Sequence, residues 1–203
     1  MKKLFFTIIL LSTIFSNAQD SYILKKDGTK IEIDGNHYHY MSFKKIRYTL
    51  LEKKGTEFVK GIDIDEVEKL VAGEITYIPY EITKNEKKAT GFFKIVAESN
   101  DKMLLVSFNP TESRFIYAYK IINKQTQTVL EEGTFVETRF SKGLADQQKA
   151  IADIKKHFSN CPEIMNSLSE FEKKLPTTRN GLGDKNASYI AGFMFQEKTL
   201  RCN

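Results

Sequence analysis

The chain has 203 residues, 12% of them aromatic without a single tryptophan, and carries +5 at pH 7 from 31 basic and 26 acidic side chains. Its lysines are scattered among acids instead of gathering on one face with interleaved aromatics, so nucleic-acid binding lacks its electrostatic footprint. Three histidines and two cysteines leave little from which to build a metal or nucleophilic centre.

Met1-Lys2-Lys3 precede an apolar run, Leu4–Phe15, and the small residues of Ser16-Asn17-Ala18 follow it. These are the parts of a secretory signal, with cleavage expected between Ala18 and Gln19 and a periplasmic or secreted product. The run is short of the roughly 20 residues that span a bilayer. No cysteine follows the small residues, so a lipoprotein anchor is not supported, and no later segment reads as a transmembrane span. Loss of Lys2 and Lys3 with residues 1–18 lowers the net charge from +5 to +3. The remainder suits one ordinary domain or two small ones sharing a surface.

Residues 19–73 read as a small β module, a barrel or curled meander. Tyr22–Lys25 leads through Lys26-Asp27-Gly28-Thr29 into Lys30–Ile33, and the Asp-Gly pair predicts a tight hairpin with positive φ at both central positions. A second turn is expected at Asp34-Gly35-Asn36, then strands over His37–Phe43 and Lys45–Leu50. Lys53-Lys54-Gly55 turns into Glu57–Ile62. Asp63–Val71 suits a short helical turn followed by a strand.

Residues 74–203 read as an antiparallel sheet plus an amphipathic helix and a C-terminal tail strand. Pro79 cannot donate to a ladder and confines Ile75–Tyr80 to an edge or a bend. Gly91–Ala97 and Met103–Phe108 form a hairpin. Arg114–Ile122 is apolar on both faces, as a central strand covered on two sides must be. Thr126–Leu130 and Thr134–Phe140 complete the meander.

Leu144, Ile151, Ile154, Phe158, Cys161, Met165, Leu168, Phe171 and Leu175 then line one face of a helix. Pro162 divides it into pieces near 143–159 and 162–174, and the unbroken phase of the stripe favours a kink over a hairpin. Ala187–Phe195 returns to strand character. The fold class expected is therefore α+β, with the kinked helix covering one face of the sheet.

Tyr22–Thr29, Gly61–Val71 and Ile154–Pro162 after an aromatic meander carry a resemblance: the chain resembles uncharacterised exported proteins of the Bacteroidota. The resemblance implies export and no particular activity, so no functional residue carries over from it.

Each candidate site competes with a plainer role. His37 and His39 would project from one face of a strand, a spacing for two metal ligands, or be polar residues on a hairpin's wet face. His157 and Cys161 stand four apart on the helix, as a base and a nucleophile could. An exported chain with two cysteines instead implies a disulfide, Cys161 to Cys202, closing about 40 residues with a gain of roughly 4 kcal/mol. Asp63, Asp65, Glu66 and Glu68 form the densest acidic cluster but lack a calcium loop's glycine and distal glutamate. Gly181-Leu182-Gly183 is too short for a phosphate fingerprint. Phe115, Tyr117 and Tyr119 could line an apolar pocket or pack the core beneath the helix.

No catalytic, cofactor-binding or metal-ligating residue is assigned, and no cofactor is expected. The expectation is an exported, non-catalytic β-rich protein that binds a ligand or associates with the envelope. A periplasmic hydrolase with a site assembled only by the fold is the alternative, as is a carrier of a small apolar ligand.

Overall fold

The computed structural model describes residues 21–41, 44–53, 60–84, 87–110, 114–138, 144–173 and 190–202. They form a mostly antiparallel sheet of eleven strands with three helices, an α+β arrangement dominated by the sheet. The strands are β1 (Tyr22–Lys25), β2 (Lys30–Met41), β3 (Lys45–Leu50), β4 (Lys60–Asp63), β5 (Val67–Ala72), β6 (Ile75–Lys84), β7 (Lys87–Glu98), β8 (Lys102–Pro110), β9 (Arg114–Asn123), β10 (Val129–Thr138) and β11 (Leu200–Arg201). The helices are α1 (Leu144–Phe158), α2 (Pro162–Glu172) and α3 (Ile190–Met194). The sheet runs β10-β9-β8-β7-β6-β5-β1-β2-β3-β4, with β11 added in parallel to β7.

Local chemistry explains where the N-terminal strands turn and where they do not. The β1–β2 loop takes positive φ only at Gly28, at 86°, instead of at both central positions. Asp27 stabilises it by accepting the Thr29 amide at 2.9 Å, an Asx turn. No turn forms at Asp34-Gly35, because β2 continues through both residues. Gly35 is needed there for close approach: a Cβ would meet the Ser21 hydroxyl at 2.2 Å. Asp34 is 2% exposed, and the β2–β3 register shifts between Ile33 and Tyr38, so the strand bends where a hairpin was expected. Ile64–Glu66 forms the expected helical turn before β5.

The soft boundary near Ala72-Gly73 falls on a tight turn inside the continuous sheet, with Gly73 at φ 60°. Ile23, Ile33, Ile46, Ile62, Ile64, Val67 and Leu70 nevertheless bury one core of their own, joined by Phe92 of β7. Pro79 pairs with Phe92 on one side, while β5 pairs with β6 only as far as Tyr77. Its missing N–H therefore interrupts no ladder, as an edge position requires.

The C-terminal half buries both faces of its meander. Val96, Leu104, Val106, Tyr117, Tyr119, Ile121 and Phe135 face the helices. Phe93, Ile95, Met103, Leu105 and Ile122 fill a second core on the opposite face. Where two strands were expected over Thr126–Phe140, β10 is one strand with Gly133 inside it, because a Cβ there would strike the Tyr119 ring, 2.6 Å from its hydroxyl.

The two helical pieces expected on either side of Pro162 are α1 and α2. Cys161, at φ −109° and ψ 93°, is the extended N-cap residue of α2, and Pro162 opens the first turn. Lys155 Nζ lies 2.6 Å from Glu172 Oε2, although a continuous helix would separate the two residues by about 25 Å. The chain therefore turns sharply between α1 and α2. Ile154, Phe158, Cys161, Ile164 and Leu168 still share one core.

The tail also differs from expectation. Residues 187–189 lie outside the described region, and Ile190–Met194 is a helix, because Ile190, Phe193 and Met194 repeat at helical spacing and are all buried. Gln147 Oε1, itself buried, accepts the Ile190 amide at 3.2 Å. Strand β11 then fills the edge of β7 left beyond the start of β6. Thr199 donates to Glu74 O at 3.1 Å and to Ile95 O at 2.9 Å, and the Cys202 amide donates to Glu98 O at 2.9 Å. Cys161 and Cys202 are joined as a disulfide, with Cα atoms 5.3 Å apart. Serine at position 202 should therefore lower stability by about 2–4 kcal/mol. Urea unfolding measures this, and hydrogen exchange should accelerate at Leu200–Arg201 while β8–β10 keep their protection.

Lys94 sits in this same region, 3% exposed, with its ammonium donating to the Gln196 carbonyl and 5.8 Å from the centroid of the Phe195 ring. Burial lowers its pKa from 10.5 to about 8. The folded state then binds fewer protons than the unfolded chain between those two values, so stability rises with pH across that window. The rise should reach about 3 kcal/mol. Chemical unfolding of wild type and Lys94→Met between pH 7 and pH 11 should show it in the first and not in the second.

Candidate functional site

Strands β6 and β9 are separated by two others, so on a flat sheet at about 4.8 Å per strand they would lie about 14 Å apart. Yet the Tyr80 hydroxyl of β6 donates to the carbonyl of Gln127, in the β9–β10 turn, at 2.9 Å. The meander is therefore curled about its second core, and Tyr80 bridges the opening. Beside that bridge lies a groove of about 460 Å³, open to solvent and lined by Tyr80, Glu81, Lys120, Gln127, Val129 and Glu132. Its volume falls within the range of small-molecule sites.

The turn that forms one rim is tightly held. Asn123 Oδ1 accepts the amides of Gln125 and Thr126, both at 2.9 Å, and the Asn123 amide donates to Thr128 O at 2.9 Å. Lys124 N donates to Asp101 O at 2.8 Å, and Gln127 Nε2 to Lys124 O at 2.7 Å. Gln127 has φ 56°, the left-handed region that side chains rarely adopt, and such outliers gather at ligand clamps. Lys120 and Glu132 are directly opposite in register and ion-paired. Burial, then the nearby carboxylates of Glu132 and Glu81, raise the pKa of Tyr80, so the phenol stays protonated as a donor.

A second polar cluster lies beneath α1. The Tyr119 hydroxyl donates to Asp153 Oδ2 at 2.6 Å and Lys149 Nζ to the same oxygen at 2.7 Å. Burial and the bond to Asp153 push the Tyr119 phenol up to about 12. Burial opposes the ionised form of Asp153, but hydrogen bonds from Lys149 and Tyr119 outweigh it and hold the carboxyl below its usual range. With Tyr119 1% exposed, this cluster fastens the helix to the sheet.

The residues singled out from sequence are dispersed. Strand β2 carries His37 and His39, whose side chains lie outside the described region. His157 Nε2 is 3.6 Å from Glu131 Oε1, too long for a hydrogen bond, and the sulfur of Cys161 is bonded to Cys202, so this pair holds no thiolate. Asp65 accepts the Thr90 hydroxyl at 2.7 Å, Glu66 pairs with Lys25 at 3.1 Å, and Asp63 lies 3.8 Å from Lys45. Among the described residues no group of three or more His, Cys, Asp or Glu side chains could hold a metal. Gly181-Leu182-Gly183 lies outside the described residues.

Of the aromatic stripe, Tyr117 stacks on Phe135 with ring centroids 4.6 Å apart and Tyr119 is buried, while the side chain of Phe115 is outside the described region. Both described members are core. None of the groove residues was singled out from sequence; Lys120 and Glu132 lie on opposite sides of a turn, at a spacing that a hairpin pairs, and that was the available signal.

No helix among the described residues is long and apolar enough to cross a membrane. No protein-family model, curated protein or solved structure matches this chain. Phenylalanine at position 80 should release the Gln127 carbonyl at a cost of about 1 kcal/mol. Amide exchange at residues 124–128 should rise in that variant, with the β7–β8 ladder unaffected.

Proposed function

We propose that this chain is an exported, non-catalytic binding protein of the periplasm or cell exterior. The observation that carries the reading is the groove at Tyr80. It is a pocket of ligand size whose rim is held by a preorganised turn, with a left-handed residue at the position facing the opening. Preorganisation of this kind lowers the ordering cost of binding.

Other observations support a role without chemistry. The ionisable side chains gathered beneath α1 are occupied in fastening helix to sheet. Cys161 is spent in a disulfide, a bond that persists in oxidising compartments. The resemblance to exported proteins of the Bacteroidota and the N-terminal signal agree with that location. In this reading the strands around the first core act as a small barrel-like module supporting the groove-bearing half.

The reading predicts that the protein recovered from its native host begins at Gln19 and lies outside the cytoplasm. N-terminal sequencing of fractionated cells tests this, and an intact Met1 on soluble cytoplasmic protein would overturn it. Binding itself is tested by the ligand titration described next.

A further inference from the structure

We propose that the groove takes a neutral, polyhydroxylated ligand, a short saccharide, held between the β6 wall of Tyr80 and Glu81 and the β9–β10 wall of Lys120, Gln127, Val129 and Glu132. This rests on the binding reading above and names the ligand class for the same groove.

The lining decides the class by elimination and by fit. An apolar ligand would take Glu132 and the ammonium of Lys120 further out of water without replacing their hydrogen bonds, a heavy desolvation penalty. An anion would meet an ammonium already neutralised by the Glu132 carboxylate paired with it. A cation would have to compete with Lys120 for Glu132, because those side chains are already paired across the strands.

A hydroxyl group disturbs none of this. It can donate to the outward face of Glu132, whose side chain is 61% exposed, while accepting from the largely covered Lys120. Paired donor and acceptor side chains at one spot are what adjacent hydroxyls need, since each both gives and receives a hydrogen bond. On the facing wall the Tyr80 oxygen, whose proton is given to the Gln127 carbonyl, can still accept a hydrogen bond from the ligand. Val129, 41% exposed, and the Tyr80 ring offer apolar surface to the C–H faces of a sugar ring.

The test titrates the mature chain, residues 19–203, with cellobiose, maltose and N,N′-diacetylchitobiose while backbone amide shifts are followed by NMR. Spermidine and sodium laurate are separate arms. At least one disaccharide is expected to shift the amides of Tyr80, Glu81, Gln127 and Val129. Glu132→Ala, made at an exposed side chain, should weaken that binding about tenfold or more, as loss of a hydrogen bond to a charged group does. Shifts that map away from the groove, or that survive Glu132→Ala undiminished, overturn the assignment to these residues. A groove response to spermidine or laurate with none to the disaccharides overturns the ligand class and leaves the binding reading standing. Groove amides that stay still in every arm overturn both.

Discussion

A strand that is apolar on both faces cannot be satisfied by a single covering layer, and β7, β8 and β9 all have this property. Phe93 and Ile95 point one way from β7 while Val96 belongs to the other core, and Leu104 and Leu105 divide β8 in the same manner. Water has to be excluded twice. On one side the three helices do so; on the other the sheet curls until Tyr80 meets the β9–β10 turn. Sheets twist and coil by nature, and here the coiling is carried far enough to shelter a second core. The groove is the residual opening of that curl, so its existence follows from the burial demand and owes nothing to a dedicated loop.

Much of the architecture was legible because its signals are periodic. The double-faced pattern of Arg114–Ile122, the stripe from Ile151 to Leu168 and the stop at Pro162 each correspond to elements of the fold. The disulfide was readable from the cysteine count and the expectation of export alone. What failed were inferences from residue type without neighbours. Asp34-Gly35 looked like a turn, yet its glycine makes room for Ser21, from the segment leading into β1. Gly133 fell in the gap between two expected strands, yet it lies inside β10 and accommodates the Tyr119 ring. Glycine marks either a backbone conformation or a close approach, and a sequence does not distinguish them.

The course of α2 was not legible for a related reason. A stripe in phase across Pro162 says which side chains are buried but not where the axis goes, because a reversed helix can bury the same set. The pairing of Lys155 with Glu172 shows the sharp turn, and that pairing depends on the fold. The groove was illegible for the same cause: Tyr80 and Gln127 are 47 residues apart, and nothing in either's sequence neighbourhood points to the other. Residues with chemistry to offer, His157 and Cys161 among them, drew attention that the site residues did not.

The parallel strand at the C-terminus has a consequence for the order of assembly. Nearly every other strand pairs with its neighbour in sequence, so most of the sheet can form by local zippering as the chain lengthens. Leu200 and Arg201, however, join Ala97 and Glu98, and such long-range closure comes late because its entropy is lost before its contacts are gained. Until Thr199–Cys202 dock, the edge of β7 at Ala97–Glu98 stays open, Thr199 does not bridge Glu74 and Ile95, and Cys161 has no partner. Closure of β11 on β7 thus follows the meander, and oxidation of Cys161 with Cys202 records that β11 has found its place.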